Sequence, residues 1–455
     1  MNERSRMLSE DSIKKVLFKL SLPATVGMIV QALYSLVDTI FVGRALGAES
    51  VQGIAGITIA FPIQMIIMGI ALTIGIGSAS IISRSLGARI HERADIALGN
   101  AITAILALSI VMTILGVVYI EPLLRMFGAT ETIMPFAYDY TKIILYGTIF
   151  FAFSMTLNNI VRAEGNARVA MFTMVISAGL NIILDPIFIF GLNMGIKGAA
   201  IATVISQVVS ALYLLYYFTK GLSSFHFHIR YFVPHPEILK EMVTIGTSSF
   251  ARNASGSLMV IVINNVLAVY GGDIPIAVFG IVNRLFMFTF MPMIGIVQGL
   301  QPIVGFNYGA KNYERVISST ALAMKITTVV SIAGFLLLFI FPTQLFGIFT
   351  TDQELIEAGK AAMRIMALAL PLVGFQVVGA SIYQTLGKAK PAFFLSISRQ
   401  VLFLIPLVLI LPRFFQLQGV WMAFPLSDGL SFLVTFVMLA KEYSLFKKDI
   451  HPDFS

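Results

Sequence analysis

The chain has 455 residues, of which 57% are hydrophobic and only 12% are charged, and its mean hydropathy is +0.89. Soluble domains carry about 25% charged residues, so this composition excludes a soluble globular protein and indicates a chain that crosses a membrane several times. The net charge of +8 does not indicate nucleic-acid binding, since most basic residues lie in short segments between apolar stretches. The absence of cysteine excludes disulfides, thiolate metal sites and cysteine nucleophiles.

Twelve apolar stretches follow the polar N-terminus, and each can cross about 30 Å of hydrocarbon as a helix. They lack the alternating pattern of barrel strands, so we predict an all-α polytopic membrane protein. We find no removable signal peptide and expect the first helix to direct insertion. The predicted spans are 16–43, 53–82, 96–119, 133–160, 169–190, 196–219, 240–268, 275–303, 316–341, 360–385, 391–411 and 419–440.

The basic residues outside these spans predict the topology. Eighteen lie on the side that carries both termini and five on the opposite side. Because cytoplasmic loops are enriched in Lys and Arg, we expect both termini in the cytoplasm and the protein in the cytoplasmic membrane.

Two loops reveal an internal repeat. The segment LGARIHERA at 86–94 resembles YGAKNYERV at 308–316, and GNAR at 165–168 resembles GKAK at 387–390. Both pairs have the same separation along the chain, which favours a true repeat over the chance recurrence of basic Gly-Ala loops. Each copy would contain six helices, so the copies would have the same orientation in the membrane, an arrangement typical of transporters.

The repeat divides the chain into a six-helix lobe at 1–222, a cytoplasmic linker at 223–239 and a second six-helix lobe at 240–455. The linker contains His226, His228 and His235. A metal site there would lack an acidic or thiol partner, so we favour an ordinary solvated linker.

Polar residues of the first lobe fall at one depth in the membrane. Asp38 shares a helix face with Gln31 and Tyr34, and Asp185 shares one with Asn181. At about 1.5 Å per residue, these acids, together with Tyr140 and Thr203, lie roughly 8–12 Å inside the external boundary. Charged groups at such depth are costly and usually functional. The sequence therefore predicts a site for a proton or sodium ion.

Pro186 strengthens this prediction, because a proline lacks an N–H and leaves the carbonyl of Ile182 without its helical partner. A bent helix with free carbonyls would offer oxygens to a cation. The alternative is structural: Asp38 would cap a neighbouring helix and Asp185 would begin a turn. In the second copy of the repeat the two acids correspond to Val260 and Leu407, so the second lobe lacks both carboxylates.

The second lobe carries other charges within its predicted spans. Arg284 and Asp428 lie at comparable depth, and we predict a structural ion pair between them in preference to a substrate site. Three further charges deep within these spans are basic: Arg252, Lys325 and Arg399.

Several motifs taken together resemble the multidrug and toxic compound extrusion (MATE) family along essentially the whole chain: LVDTIFVG, GSASIISRSLGA, AEGNAR, GLNIILDPIFIFG and GIKGAAIAT. The resemblance implies a twelve-helix antiporter with two lobes that expels organic compounds against an inward flow of sodium or protons.

The resemblance also implies roles for residues of the first lobe. The family's acidic and amide positions fall on Asp38, Asn181 and Asp185, with Thr203 and the Ala199 carbonyl beside them. Asn158 resembles another polar residue of the cavity. Some branches carry a carboxylate pair for sodium in the seventh and tenth helices, where this chain has Arg252 and Asn253, and Gln376.

Three classes of function compete. A multidrug antiporter explains the repeat, the acid cluster and the resemblance. A lipid-linked saccharide flippase of the same wider superfamily would share the two lobes, and an enzyme would need a metal-ligand set, a catalytic triad or a phosphate loop that we do not find. We therefore expect a monomeric antiporter in a lipid bilayer whose partners are small organic substrates and a coupling cation (H⁺ or Na⁺), with no cofactor and no nucleic acid.

Overall fold

The computed structural model describes residues 3–45, 50–226, 228–349 and 352–450, apart from the side chains of 35–40, 42–45, 50–55 and 273. This part of the chain consists of helices joined by short loops and contains no β-strand. The helices of the first half are α1 (Glu3–Glu10), α2 (Ile13–Ala45), α3 (Ser50–Gly87), α4 (His91–Val118), α5 (Ile120–Met126), α6 (Met134–Ala163), α7 (Ala167–Pro186) with a π-helical segment (Ile187–Gly191), and α8 (Gly195–Thr219).

The second half repeats this order after a short 3₁₀ turn at Ile229–Phe232. Its helices are α9 (Pro236–Gly271), α10 (Asp273–Gly309), α11 (Tyr313–Ile340), α12 (Pro342–Gly347), α13 (Gln353–Ala367), α14 (Leu370–Thr385), α15 (Ala389–Ile397) with a π-helical segment (Ser398–Leu404), α16 (Ile405–Ile410) and α17 (Pro412–Ile450).

Among the described residues, eleven helices are long and apolar enough to cross a membrane, and the count is twelve if α13 and α14 form one bent span. These two helices meet at 51°. Pro371 lies in the first turn of α14, where a backbone N–H would have no helical partner, so its absence costs no hydrogen bond. The same proline cannot donate a hydrogen bond back to α13, so α13 does not continue unbroken into α14. The predicted all-α fold with twelve spans is confirmed, and the predicted tenth span is the bent one.

The repeat predicted from two loops extends to the backbone. Helices α4 and α11 both have 28 residues, and α3 and α10 end at the equivalent glycines Gly87 and Gly309. Arg89 and Lys311 both adopt the left-handed region, with φ of 60° and 59°. Non-glycine residues are uncommon there, so the shared conformation shows that the two loops have the same structure. The internal repeat is confirmed.

The chain forms two compact units whose composition crosses the repeat boundary. Unit 1 contains residues 1–6 and 26–246, and unit 2 contains 7–25 and 247–455. The first part of α2 thus belongs to the unit built mainly from the second half, and the first part of α9 to the unit built mainly from the first half. Because each unit takes a segment from the other half, the lobe boundaries at 1–222 and 240–455 stay a prediction.

Equivalent arginines bind these exchanged segments. In unit 1, Arg93 Nη2 and Arg84 Nη2 lie 2.6 and 2.8 Å from the carboxylate of Glu241, on the first turns of α9. In unit 2, Arg315 Nε donates to the carbonyl of Leu8 at 3.0 Å, as does Asn307 Nδ2. Arg93 and Arg315 occupy the same position of the repeat, so the arginine at this position binds the exchanged segment in both units.

The linker is bound to unit 1 and is not simply solvated. Asn100 Nδ2, on α4, donates to the carbonyls of Tyr231 and Val233 at 3.0 and 3.1 Å. Its Oδ1 accepts from the backbone N–H of His235 at 2.6 Å. Within the described ranges, no group of three or more His, Cys, Asp or Glu residues could hold a metal ion. The linker is therefore an ordered segment of backbone that is fastened along α4.

The first turn of α1, which belongs to unit 1, is held by a buried carboxylate. Arg4 Nη1 lies 3.0 Å from Glu164 Oε2, and the hydroxyl of Tyr217 donates to the same carboxylate. The backbone N–H of Ser224 donates to Glu164 Oε2 at 2.9 Å. Burial raises the pKa of Glu164, although these three partners act in the opposite direction. One buried carboxylate thus joins the first turn of α1, the end of α8 and the linker.

Candidate cation site and the charges within the membrane

Asn181 and Thr203 connect α7 to α8 at the predicted site. Asn181 Nδ2 donates to Thr203 Oγ1 at 3.2 Å, and both side chains are buried. Asn181 is only 1% exposed, and its Oδ1 accepts no hydrogen bond from the described part of the chain. A buried amide oxygen without a donor carries a large desolvation cost, so this oxygen is suited to receive a proton donor or a cation.

Asp185 lies one helical turn beyond Asn181, on the same face of α7, and its side chain is fully buried at 0% exposure. The helix does not end at the following Pro186. It widens instead into the π-helical segment Ile187–Gly191, which closes with Leu192 N–H donating to the carbonyl of Ile187 at 2.9 Å. A π-helical segment changes the hydrogen-bonding register without breaking the helix, and such segments are frequent at functional sites.

Small residues bring α8 against this segment. A Cβ on Gly198 would lie closer than 3.0 Å to the carbonyl of Phe188, so only glycine allows the two backbones to approach in this way. The next residue, Ala199, is 1% exposed and packs against Ile189. Because Ala199 and Thr203 are four residues apart, both face α7. Thr203 therefore contacts α7 through Asn181, Ala199 contacts the π-helical segment, and Asp185 lies one turn beyond Asn181 on the same face of α7.

Tyr140 lies beside this contact on α6. It is buried in a cluster with Ala60, Ile196 and Ala200, which brings α6 and α8 together. Gln64 Nε2, from α3, lies 3.4 Å from the Tyr140 hydroxyl. Gln64 was not among the predicted site residues, although a glutamine in the middle of an apolar span indicates a polar contact.

Two predicted residues of the cluster are not joined to it by the described contacts. Gln31 is exposed on α2, and Asn158 Nδ2 donates to the carbonyl of Ala170 at 2.8 Å. Ala170 precedes Asp185 by about four turns of α7, or about 22 Å along the helix axis. Asn158 therefore ties α6 to the beginning of α7, far from the acid.

Asp38, the second acid of the prediction, belongs to α2, but its side chain lies outside the described residues. Tyr34, one turn earlier, is partly buried. The prediction that Asp38 and Asp185 face one another stays a prediction.

The predicted pair of Arg284 and Asp428 is wrong. Asp428 is 3% exposed and binds Arg399, whose Nε lies 2.5 Å from Asp428 Oδ1. Arg399 belongs to the π-helical segment Ser398–Leu404, whereas Arg284 is exposed on α10. Counting depth by a constant rise per residue assumes a regular α-helix, and the π-helical segment alters which residues of its span face α17.

Comparison with known proteins identifies the family. The family model described as MatE matches residues 23–187 and again residues 249–410. The chain belongs to the MatE family. Its members are membrane transporters, which confirms the predicted class of protein and the prediction that this chain is not an enzyme.

Relatives of this MatE protein match it along nearly the whole chain. The multidrug export protein MepA of Staphylococcus aureus (strain NCTC 8325 / PS 47) is 27% identical over 440 residues, 96% of each chain. The solved structure of the MATE multidrug transporter DinF-BH in complex with R6G is 47% identical, with a TM-score of 0.89, and covers 98% of this chain and 99% of that chain. An outward-facing MATE transporter of the MOP superfamily is 31% identical, with a TM-score of 0.92, and covers 98% and 99% of the two chains.

Proposed function

We propose that this MatE protein exports organic compounds across the cytoplasmic membrane in exchange for inward-moving protons or sodium ions. The coupling cation binds in unit 1 at Asp38, Asn181, Asp185, Ala199 and Thr203. The observation that carries this proposal is the buried hydrogen bond between Asn181 and Thr203, one turn from the fully buried Asp185. Polar groups concentrated at this depth would be costly in a purely structural role.

The chemistry of the site suits a small cation. The buried Asn181 Oδ1 and the Asp185 carboxylate are acceptors, and the hydroxyl of Thr203 can act as either donor or acceptor. Carbonyl and side-chain oxygens beside discontinuous helices bind sodium ions and protons in transporters. Tyr34 on α2, Tyr140 on α6 and Pro186 on α7 itself support this site.

The cation binds two conformations of the transporter with different affinities, and this difference drives export. A ligand can shift a conformational equilibrium only by that difference, and linkage makes the effect reciprocal, so cation and substrate weaken each other's binding. Neutralising the Asp185 carboxylate removes a buried charge, and α7 and α8 can then repack around the π-helical segment. The apparent affinity for substrate should therefore fall as the pH drops or as sodium rises.

Transport by purified protein in lipid vesicles tests the proposal. Dye movement is measured under a proton gradient alone and under a sodium gradient alone, for the wild type and for Asp38→Asn and Asp185→Asn. We expect one gradient to drive transport by the wild type, and each variant to lose that dependence while it remains folded. A lipid-translocation assay in the same vesicles separates export from the flippase alternative.

A matched control is available in the same unit. Asp139, on α6, is partly exposed and lies 3.1 Å from Lys197 Nζ, so Asp139→Asn removes an acid that we place outside the site. Normal coupled transport by Asp185→Asn would refute the cation site. Loss of transport in Asp139→Asn as severe as in Asp185→Asn would show that any change of charge in unit 1 has the same effect.

A further inference from the structure

Arg399 is oriented by Asp428 in unit 2. The contact of 2.5 Å joins the carboxylate to Nε, the nitrogen on the side of the guanidinium group. The Asp428 side chain is 5% exposed, and the helix that carries it is further fixed because Gln376 Nε2 donates to the backbone carbonyl of Asp428 at 2.6 Å. A buried carboxylate therefore sets the plane of the guanidinium group from one edge.

The opposite edge of Arg399 is open. Within the described part of the chain, neither Nη atom makes a hydrogen bond or an ion pair, and the side chain is 28% exposed. The two Nη groups of an arginine form a planar fork that matches a carboxylate, phosphate or sulfonate in a bidentate manner. Asp428 occupies Nε alone and so leaves a binding edge free.

The surroundings supply an aromatic ring and an acceptor. The Arg399 guanidinium carbon lies 5.5 Å from the centre of the Phe290 ring, in a cation–π contact. Gln376 is 5% exposed, and its Oε1 is buried with no hydrogen-bond partner among the described residues. Such an oxygen remains costly until a donor reaches it, so it would accept from an N–H or O–H group of a bound molecule.

The charge balance of unit 2 favours an anion. Asp428 neutralises one positive charge, while Arg252, Arg284 and Lys325 remain, and none of these three forms an ion pair with an acidic side chain of the described residues. Charged side chains within a membrane span face a protein interior or a water-filled cavity. Unit 2 therefore carries an excess of positive charge within its membrane spans.

We propose that the free edge of Arg399 binds the carboxylate, phosphate or sulfonate group of an exported organic anion or zwitterion. Asp428 acts as the positioning residue, Phe290 provides the adjacent aromatic surface, and Gln376 Oε1 accepts a hydrogen bond from the same compound. This inference rests on the proposed export function and names a substrate class for it. A purely structural ion pair would not require that the Nη groups of Arg399 stay open or that Gln376 Oε1 stay without a donor.

Two dyes that differ in one functional group test the proposal. Rhodamine 6G is an ethyl ester, and its free acid has the same aromatic system with a carboxylate in place of the ester. Binding of both dyes to the purified full chain is measured by fluorescence polarisation, for the wild type and Arg399→Met. We expect the variant to lose affinity for the free acid by about tenfold or more, the usual effect of a charge-assisted hydrogen bond, with less than about a twofold change for the ester.

Two further variants keep the test decisive if Arg399→Met does not fold. Arg399→Lys retains the charge but has no fork, and Asp428→Asn retains the shape but holds the guanidinium group less firmly. Both should reduce the preference for the free acid over the ester. Equal losses for both dyes, or no loss for the free acid, would overturn the proposal while leaving export intact. Failure of the wild type to bind either dye would count against the proposed function as well.

Discussion

A side chain at Gly99 would collide with the backbone carbonyl of Tyr231, because a Cβ built on Gly99 lies closer than 3.0 Å to that oxygen. Gly99 is buried on α4, next to Asn100, which binds the linker with three hydrogen bonds. The backbone of the linker therefore packs against the backbone of α4 as closely as van der Waals contact allows. The amino-acid composition of the linker does not predict this close contact with α4.

We expect Gly99→Ala to destabilise the protein by about 1–3 kcal/mol, the usual cost of forcing atoms into a packed site. Gly179→Ala on α7 is the matched control, since nothing lies within 4 Å of its added Cβ. Thermal unfolding of both variants in detergent measures the difference. Equal melting temperatures for the two variants would show that the linker can move away from Gly99 without a loss of stability.

We expect Thr203→Val to weaken cation-coupled transport. Valine has nearly the shape of threonine but has no hydroxyl, so the buried Asn181 Nδ2 loses its acceptor at 3.2 Å, with a cost of about 1–3 kcal/mol. Thr203→Ser keeps the hydroxyl and serves as the control. The measurement is the cation dependence of dye transport in vesicles, and full coupling in the valine variant would contradict the role of this hydrogen bond.

Glu164 predicts a dependence of stability on pH. Burial raises its pKa above the ordinary value of 4.5, so the folded protein holds this proton to a higher pH than the unfolded chain does. The stability that the group contributes is then fully present below about pH 4.5 and is lost as the pH rises through the raised pKa. We expect Glu164→Gln to flatten this part of the stability profile, as measured by thermal unfolding across pH. The exposed Glu131→Gln should leave the profile as in the wild type, and an unchanged slope in Glu164→Gln would contradict the assignment.

The absence of cysteine makes the predicted orientation easy to test. Ala88→Cys and Ala310→Cys place one thiol each in the two repeated loops, where both residues are exposed. We expect neither to react with a membrane-impermeant maleimide added to intact cells, and both to react after the cells are opened. Thr132→Cys, in the loop on the predicted external side, should react in intact cells. Labelling of either Ala88→Cys or Ala310→Cys from outside would reject the predicted topology.

The sequence predicted most of the fold because hydropathy reports directly on membrane spans, and a constant offset between matching loops reports on the repeat. It also predicted that Asn181 lies near Thr203, and the two are hydrogen-bonded, since α7 is regular as far as Pro186. Simple counting along a helix was sufficient there.

Predictions failed where local geometry departs from a regular helix or where tertiary contacts decide. The partner of Asp428 was misassigned because Arg399 lies in a π-helical segment, whose hydrogen-bonding register cannot be read from hydrophobic periodicity. The linker was expected to be solvated because its histidines lack an acidic or thiol partner for a metal site. Its binding to α4 depends on Gly99, Asn100 and Thr103, which belong to a different part of the chain.

The exchange of the first segments of α2 and α9 bears on the origin of the chain. Unit 1 requires residues of α9 up to 246, and unit 2 requires residues 7–25. A half-length ancestor that encoded six helices would reach the same packing if it exchanged the first part of its first long helix with a second copy, as domain-swapped homodimers do. Gene duplication and fusion would then join two such copies into one polypeptide, with the segment now bound to Asn100 as the covalent connection between them.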